Sequence, residues 1–334
     1  MPQMITDAQA LNFLRQQTHV QSARAFNVEY DLVDYQSLVP VNTDYPEWAS
    51  GVDFQVGDMA GAAKWQSGWA EDVPKADVSL ISVGVDFAMY AVGYGYNIEE
   101  LGKAMHAGFP LTARKAIAAR QAADIFCAET ALYGGGHPGW SGLINMNGVT
   151  PAASPATGTG NARNWVDANG VGLKTSEQIV AELNQLIMGP PSASGVISSL
   201  LSDTVLLPPL AYQYIALTPY GVTSPNMTIL QWFMANNIYT TRTGRPLTIR
   251  ELPALAKAAT LTSPNVAGQG RAVGYRNSLD SLEFPMPMPY RFLDIHQHGP
   301  MQWQIPGIGR VGQLTLIRDG AMRYLDGVTP APAP

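Results

Sequence analysis

Charge is scarce in this sequence. Asp, Glu, Lys and Arg make up 14% of its 334 residues, against about 25% in an ordinary soluble domain, so something other than charge covers its surface. Acidic residues outnumber basic ones, 26 to 20, for a net charge of −6. No overall positive field exists to hold phosphate backbones or anionic lipid, which argues against tight nonspecific nucleic-acid binding. Cysteine occurs once, as Cys127, so no intrachain disulfide can form. The opening Met1–Asp7 lacks the basic and apolar regions of a signal peptide. Long apolar runs are missing too: Val78–Val92 is interrupted by Asp86, and Val205–Leu217 by Pro208, Pro209 and Gln213, short of the ~20 clean residues of a membrane span. The expectation is a chain made and folded in the cytosol with no contact to membrane. Glycine and proline, 32 and 25 residues, are abundant without reaching the ~25–30% of low-complexity chains. These numbers describe a folded chain with many turns, long enough to bury a core without disulfides or metals.

Residues 7–17 fit a short amphipathic helix capped by Thr6, followed by an extended arm. Residues 36–75 carry loops and β-structure around Tyr45, Trp48, Trp65 and Trp69. From Ile81 the pattern becomes regular. Ile81, Val83, Val85, Phe87 and Met89 alternate with Ser82, Gly84, Asp86, Ala88 and Tyr90, the period of a strand with one apolar face. Pairing with the Trp65–Trp69 segment across a turn at Glu71–Asp77 makes a long hairpin arm. A helix is expected over 113–133, with Thr112 as N-cap, an Arg120/Asp124 pair one turn apart and a stop at Gly134-Gly135-Gly136. Thr175-Ser176-Glu177-Gln178 forms a capping-box pattern ahead of Ile179, Leu183, Leu186 and Ile187, and Gly189 ends that helix. Ser224-Pro225 reads as the start of another, carrying Ile229, Leu230, Trp232 and Phe233. Asp203–Leu207 reads as a buried strand, 150–172 as a surface loop, Phe292–His298 and Gln313–Arg318 as strands, and Thr329–Pro334 as a frayed tail.

Chemistry-bearing motifs are few. Gly307-Ile308-Gly309-Arg310-Val311-Gly312 matches G-x-G-x-x-G, but the next residues, Gln313–Ile317, are strand-like and the remaining chain is too short for a βαβ unit, so the motif reads as a glycine-rich bend. Asp294, His296 and His298 would share one strand face and could hold a divalent ion; the alternative is a solvent-facing polar face. Gly139-Trp140-Ser141-Gly142 is one residue short of a nucleophile elbow and reads as a turn. Cys127, among Ile125, Phe126 and Ala128, reads as a buried thiol. With no Walker A sequence and no paired carboxylates, no residue is assigned to catalysis, cofactor or metal binding; the enzyme alternative is a metal-dependent hydrolase using Asp294, His296 and His298.

The stretch from Ala118-Ala119-Arg120-Gln121 to Ala128-Glu129, then Gly134-Gly135, then Gly142-Leu143-Ile144-Asn145 and Val149, resembles the tailed-bacteriophage major capsid proteins, whose fold is shared with encapsulins and the herpesvirus capsid floor. In that family a long spine helix ends in glycine and a Gly-Leu-(Ile/Leu)-Asn segment succeeds it. Asp203–Pro209, Thr228–Phe233, Phe284–Pro287, Arg310–Leu316 and Tyr324–Val328 resemble later segments in the same order. The resemblance implies an α+β fold with an N-terminal arm (1–45), an extended β-hairpin loop (46–100), a peripheral domain (101–172 and 270–328) built on the spine helix, an axial domain (173–269) and a disordered tail (329–334). It implies a structural protein of the virion capsid, made in the host cytoplasm, that assembles with itself through hexamers and pentamers into an icosahedral shell around double-stranded DNA. A separate scaffolding protein, a portal and a decoration or cement protein are the other implied partners. An encapsulin-like compartment is the alternative within this class. Trp65, Trp69, Ile81, Val83, Val85, Phe87 and Met89 are the expected intersubunit contacts, and with Lys64 and Lys75 lacking a recognisable partner, assembly is expected to be noncovalent.

Overall fold

A computed structural model describes residues 34–60, 64–65, 75, 77–107, 111–189, 200–221, 224–260 and 269–331. The helix expected at 7–17 lies outside them. A short helix α1 (Tyr35–Leu38) and strand β1 (Val41–Asn42) lead into β2 (Gly51–Ala60) and the fifteen-residue β3 (Asp77–Ala91). Strand β4 (Tyr94–Asn97), helix α2 (Ile98–Ala107) and the spine helix α3 (Leu111–Tyr133) come after them. Alanine and long side chains without a β-branch make up most of α3 and no glycine or proline interrupts it, so most of its residues lose little side-chain freedom on becoming helical. Thr112, expected as the N-cap, lies inside the first turn because the helix is already under way at Leu111.

Beyond the two-residue β5 (Ala152–Ala153) comes α4 (Ser176–Met188), which opens on the expected capping box: Thr175 Oγ1 accepts from the Gln178 amide and the Gln178 side chain accepts from the Thr175 amide. Strand β6 (Thr204–Leu207) is buried throughout, as its composition predicts. Helix α5 (Pro209–Leu217) and strands β7 (Pro219–Tyr220) and β8 (Ser224–Thr228) come next. Ser224-Pro225 therefore begins a strand, not a helix. Helix α6 (Ile229–Asn236) starts at Thr228, where a second reciprocal box with Gln231 satisfies the first-turn amides. Helix α7 (Ile238–Thr243) and β9 (Thr248–Glu251) precede the C-terminal strands β10 (Arg271–Tyr275), β11 (Leu282–Pro285), β12 (Met288–Phe292), β13 (His296–Gly299), β14 (Gln302–Ile305), β15 (Gly307–Gly312), β16 (Thr315–Leu316) and β17 (Met322–Asp326).

The core lies on a five-stranded sheet of order β5-β17-β10-β6-β9. Trp165, Leu183, Leu207, Ile215 and Phe233 are wholly buried beside it. This sheet takes β6 and β9 from within 173–269 and β5, β10 and β17 from outside it, so strand pairing crosses both expected domain boundaries. The 150–172 segment is not only a surface loop: Trp165 and Val166 are fully buried, and the indole Nε1 donates to Glu182 Oε2 at 2.7 Å. Glu182 also pairs with buried Lys174, so the charge is neutralised where water cannot reach it. Nor does the tail begin to fray at Thr329, which is buried and whose carbonyl accepts from the Gly270 amide at 3.1 Å.

Candidate assembly interface

β2 and β3 form an antiparallel ribbon in continuous register from Gly51 opposite Asp86 to Ala60 opposite Asp77. The expected hairpin is present, but its second strand is 51–60, and Trp65 lies in the connection beyond it. At ~3.4 Å per residue the paired stretch runs about 34 Å. β15 pairs with β3 only over Phe87–Ala91, so among the described residues nothing but β2 pairs with Asp77–Asp86. Directly opposed residues share a face. One face therefore carries Val52 with Val85 and Phe54 with Val83; the other carries Asp53 with Gly84 and Gln55 with Ser82.

At its base the ribbon enters a layered structure. Phe87 packs on Tyr45, ring centroids 5.6 Å apart, while Tyr90 turns to the opposite face and packs on Phe126 of α3 at 5.0 Å. The glycine motif explains this crowding. It is strand β15 rather than a bend, paired with β12 and β3, and each glycine sits beneath an aromatic ring. A Cβ at Gly307 would lie 2.1 Å from Tyr290 Oη, at Gly309 2.5 Å from Tyr90 Oη, and at Gly312 2.8 Å from the Phe87 ring. The pattern that mimics a dinucleotide fingerprint is thus a row of close approaches between backbone and aromatic faces. The segment leading into β2 is clamped over this base: Arg291 makes a bidentate pair with Glu47 at 3.1 and 3.0 Å, and Arg310 Nη1 donates to the Glu47 carbonyl at 2.7 Å.

The Gly-Leu-Ile-Asn segment closes the C-terminus of the spine helix. Carbonyls at a helix end lack intrahelical donors, and here the last five are all satisfied. Glu129 and Thr130 accept from Gly135 and Gly134, Ala131 and Leu132 from the amides of Leu143 and Ile144 at 2.9 and 3.0 Å, and Tyr133 from Asn145 Nδ2 at 3.2 Å. Asn145 Oδ1 in turn accepts from the Gly142 amide at 2.8 Å. Gly142 is required for this approach, since a Cβ there would lie 2.3 Å from the Leu132 carbonyl carbon. Gly142→Ala is expected to cost about 1–3 kcal/mol by overpacking, read as a lower urea midpoint at unchanged slope; an unchanged midpoint would refute this account of the turn.

The expected contact residues divide. Trp65 is fully exposed, Met89 60% and Val83 41% exposed, whereas Val85 and Phe87 are buried within their own chain. Phe87 is covered by the Tyr45 ring, and Val85 stands opposite Val52 of β2. Trp69 and the side chain of Ile81 lie outside the described residues. Exposed apolar residues that periodicity did not single out include Trp48, Ile117, Ile125 and Met301. The signal available for the spine-helix pair was an apolar content spread around the whole helix rather than along one stripe.

The alternative chemistry is not gathered. Asp294 falls between β12 and β13, off the strand that holds His296 and His298, and all three are exposed. Among the described residues no group of three His, Cys, Asp or Glu could hold a metal ion. Ser141 is buried in the turn, where its hydroxyl accepts from Gln313 Nε2 at 2.8 Å. Cys127 is buried with its thiol toward Tyr90 Oη at 3.3 Å, and burial pushes its ionisation up, away from thiolate chemistry. Among the described residues no helix is long and apolar enough to cross a membrane.

Comparison with known proteins agrees with this geometry. No curated protein matches the chain in sequence. Among solved structures, the capsid of the Myoviridae phage XM1 superposes with a TM-score of 0.73 at 17% identity, covering 94% of this chain and 98% of that one. The capsid of the native GTA particle, computed with C5 symmetry, gives 0.59 at 11% identity, covering 97% and 100%. Mycobacterium phage Bobi gives 0.53 at 13% identity, covering 98% and 99%. These likenesses establish the tailed-phage capsid fold. A family model described as major capsid protein matches residues 61–328, and the chain accordingly belongs to the major capsid protein family.

Proposed function

We propose that this chain is a structural subunit without catalytic activity that assembles with copies of itself, through rings of five and six, into an icosahedral shell enclosing double-stranded DNA. The observation that carries this reading is the ribbon. A two-stranded ribbon in water is at best marginally stable, yet this one extends about 34 Å with no third strand among the described residues and with Val83 exposed on its apolar face. A neighbouring subunit beneath it supplies the missing burial. The low charge content fits the same role, because the cores of large permanent interfaces are depleted in charge.

Trp65, Val83 and Met89 are the contacts this reading retains, with Trp69 and Ile81 further along the same loop. Val85 and Phe87 are already buried and have little surface left to give. The arm ahead of α1 and the ribbon of the loop at 46–100 are the parts that reach neighbours, since α1, β1 and Tyr45 pack within this chain; a scaffolding protein, a portal and a decoration protein complete the set of partners, and synthesis occurs in the host cytoplasm. Double-stranded DNA is held by enclosure, consistent with the chain's net negative charge.

The test is to express the chain alone and with its neighbouring genes, and to measure mass by light scattering beside negative-stain microscopy. Closed shells or rings of five and six are expected; a stable monomer or dimer under both conditions would overturn the reading. Trp65→Ala, at a fully exposed position, is expected to leave circular dichroism unchanged and to reduce the yield of shells.

A further inference from the structure

Between the end of α4, the β5 edge of the five-stranded sheet and the turn before β17 lies a cavity of about 470 Å³, within the ~300–1,000 Å³ usual for small-molecule sites. Its walls include Val149, Pro151, Leu186, Leu316 and Met322. One basic side chain, Arg323, stands among them, half-buried and without a carboxylate partner among the described residues. Its Nη1 donates to the Ile187 carbonyl at 2.8 Å and, over longer distances, to Ser202 Oγ at 3.3 Å and the Leu200 carbonyl at 3.4 Å. Nη2 has one bond, to the same Leu200 carbonyl at 3.4 Å, and Nε has none to a described residue. Burial pulls the guanidinium below its ordinary pKa, and no acid among the described residues offsets that shift. Nε and Nη2 form the edge of a guanidinium that takes a carboxylate through two parallel hydrogen bonds. Gly189, which also lines the cavity, leaves this edge uncovered: its φ is +90°, and a Cβ there would lie 3.1 Å from Nε.

We propose that this cavity binds a small aliphatic carboxylate, its head on the Nε–Nη2 edge of Arg323 and its hydrocarbon chain against Val149, Leu186 and Met322. Two observations select this ligand class. A buried cation without a counter-charge favours an anion, and apolar walls favour hydrocarbon for the rest of the ligand. The side-chain amide of Gln185 lines the same cavity with no hydrogen bond to another described residue, and it supplies a further donor. Asp319 stands exposed at the rim, where water and salt screen its charge. An extended peptide is the poorer fit. The adjoining edge strand β5 has two residues and is preceded by Pro151, which leaves little backbone for a peptide to pair with.

The cavity is walled by one chain, so the test uses the full unassembled chain and does not depend on the shell reading. Octanoate, octanol and octylammonium are titrated into it by calorimetry. Octanoate is expected to bind at least about tenfold more tightly than octanol, the contribution of a charge-assisted bidentate contact, and octylammonium more weakly than either. A ligand that binds only the folded chain stabilises it, so octanoate should also raise the urea midpoint. Ala152→Trp, at an exposed position on the cavity's edge, is expected to fill the cavity and abolish octanoate binding with circular dichroism unchanged. Arg323→Met is expected to bring octanoate down to the affinity of octanol. Equal affinity of octanoate and octanol for the wild-type chain, octanoate binding that survives Ala152→Trp, or no binding of octanoate would each overturn the inference. The three ligands on the wild-type chain decide the charge preference even where Arg323→Met fails to fold.

Discussion

Replacing Asp326 with Ala is expected to lower the stability of the unassembled chain by about 3–5 kcal/mol, because it strands a buried guanidinium. Asp326 is wholly buried and Arg271 2% exposed. The carboxylate takes Arg271 Nε on one oxygen at 2.5 Å and Nη2 on the other at 2.8 Å, and also accepts the Thr260 amide at 3.0 Å. The remaining donors of Arg271 reach the Ile144 carbonyl and Thr260 Oγ1, and the guanidinium lies over the Tyr324 ring at 4.3 Å. This cluster joins β10 and β17 to the segment that caps the spine helix, since Tyr324 Oη donates to the Leu143 carbonyl and accepts from the Met146 amide. Loss of the acid thus threatens both the sheet and the helix end. Denaturant midpoints measured at unchanged slope check the magnitude. The double variant Arg271→Met with Asp326→Leu should recover most of the loss, because an apolar pair of similar volume removes both charges together. A loss below about 1 kcal/mol in the single variant would show that the ion pair does not hold this junction.

Local rules account for what could be read from the sequence. The box at Thr175 needs only residues three apart, and it forms as expected. The spine helix needs only composition and a glycine stop, and it too is present, two residues longer at its start. Errors arise where a nonlocal choice intervenes. Ser224-Pro225 satisfies the local signal for a helix start, but β7 offers a partner to Ser224–Thr228 and the helix opens one turn later at its own box. The alternation over 81–89 is a true strand, yet periodicity cannot say which segment pairs with it, and Gly51–Ala60 takes the place expected of Trp65–Trp69.

The interface shows the same division. An alternating pattern identifies an apolar face but not what covers it. Val85 and Phe87 are buried within their own chain, Phe87 against the Tyr45 ring, while Val83 two residues before Val85 stays exposed. The glycine motif was legible as a motif and misleading as a bend, because only the fold reveals three rings lying over its backbone. The Gly-Leu-Ile-Asn segment carried the resemblance to capsid proteins, and the hydrogen bonds at the helix end give its physical reason: two amides and one side-chain amide complete carbonyls that α3 cannot satisfy alone.

Alkaline unfolding should be steep and should coincide with tyrosine ionisation. Tyr35, Tyr90, Tyr275 and Tyr324 are all buried, and burial disfavours the phenolate in each. Tyr35 and Tyr324 are pushed up to about 12, and Tyr90 and Tyr275 are raised further. Two of these hydroxyls are donors that ionisation would remove: Tyr275 to the Leu38 carbonyl and Tyr324 to the Leu143 carbonyl. A folded-state value above the unfolded one means that the native chain holds these protons more tightly. Their stabilising contribution is therefore complete below pH 10 and is lost as pH rises from the unfolded value of about 10 towards the folded ones. Each group contributes up to ~1.4 kcal/mol per pH unit in that window, so four together can remove about 5–6 kcal/mol per unit. That is comparable to the whole stability of a typical domain, ~5–15 kcal/mol. Tyrosinate absorbance and far-ultraviolet circular dichroism, monitored together on the unassembled chain, should show buried-tyrosine ionisation and loss of helix in one transition between pH 10 and 12. Full tyrosinate absorbance in a chain that keeps its helical signal would mean that these hydroxyls are open to solvent and that the packing around the spine-helix cap and α1 is looser than the structure has it.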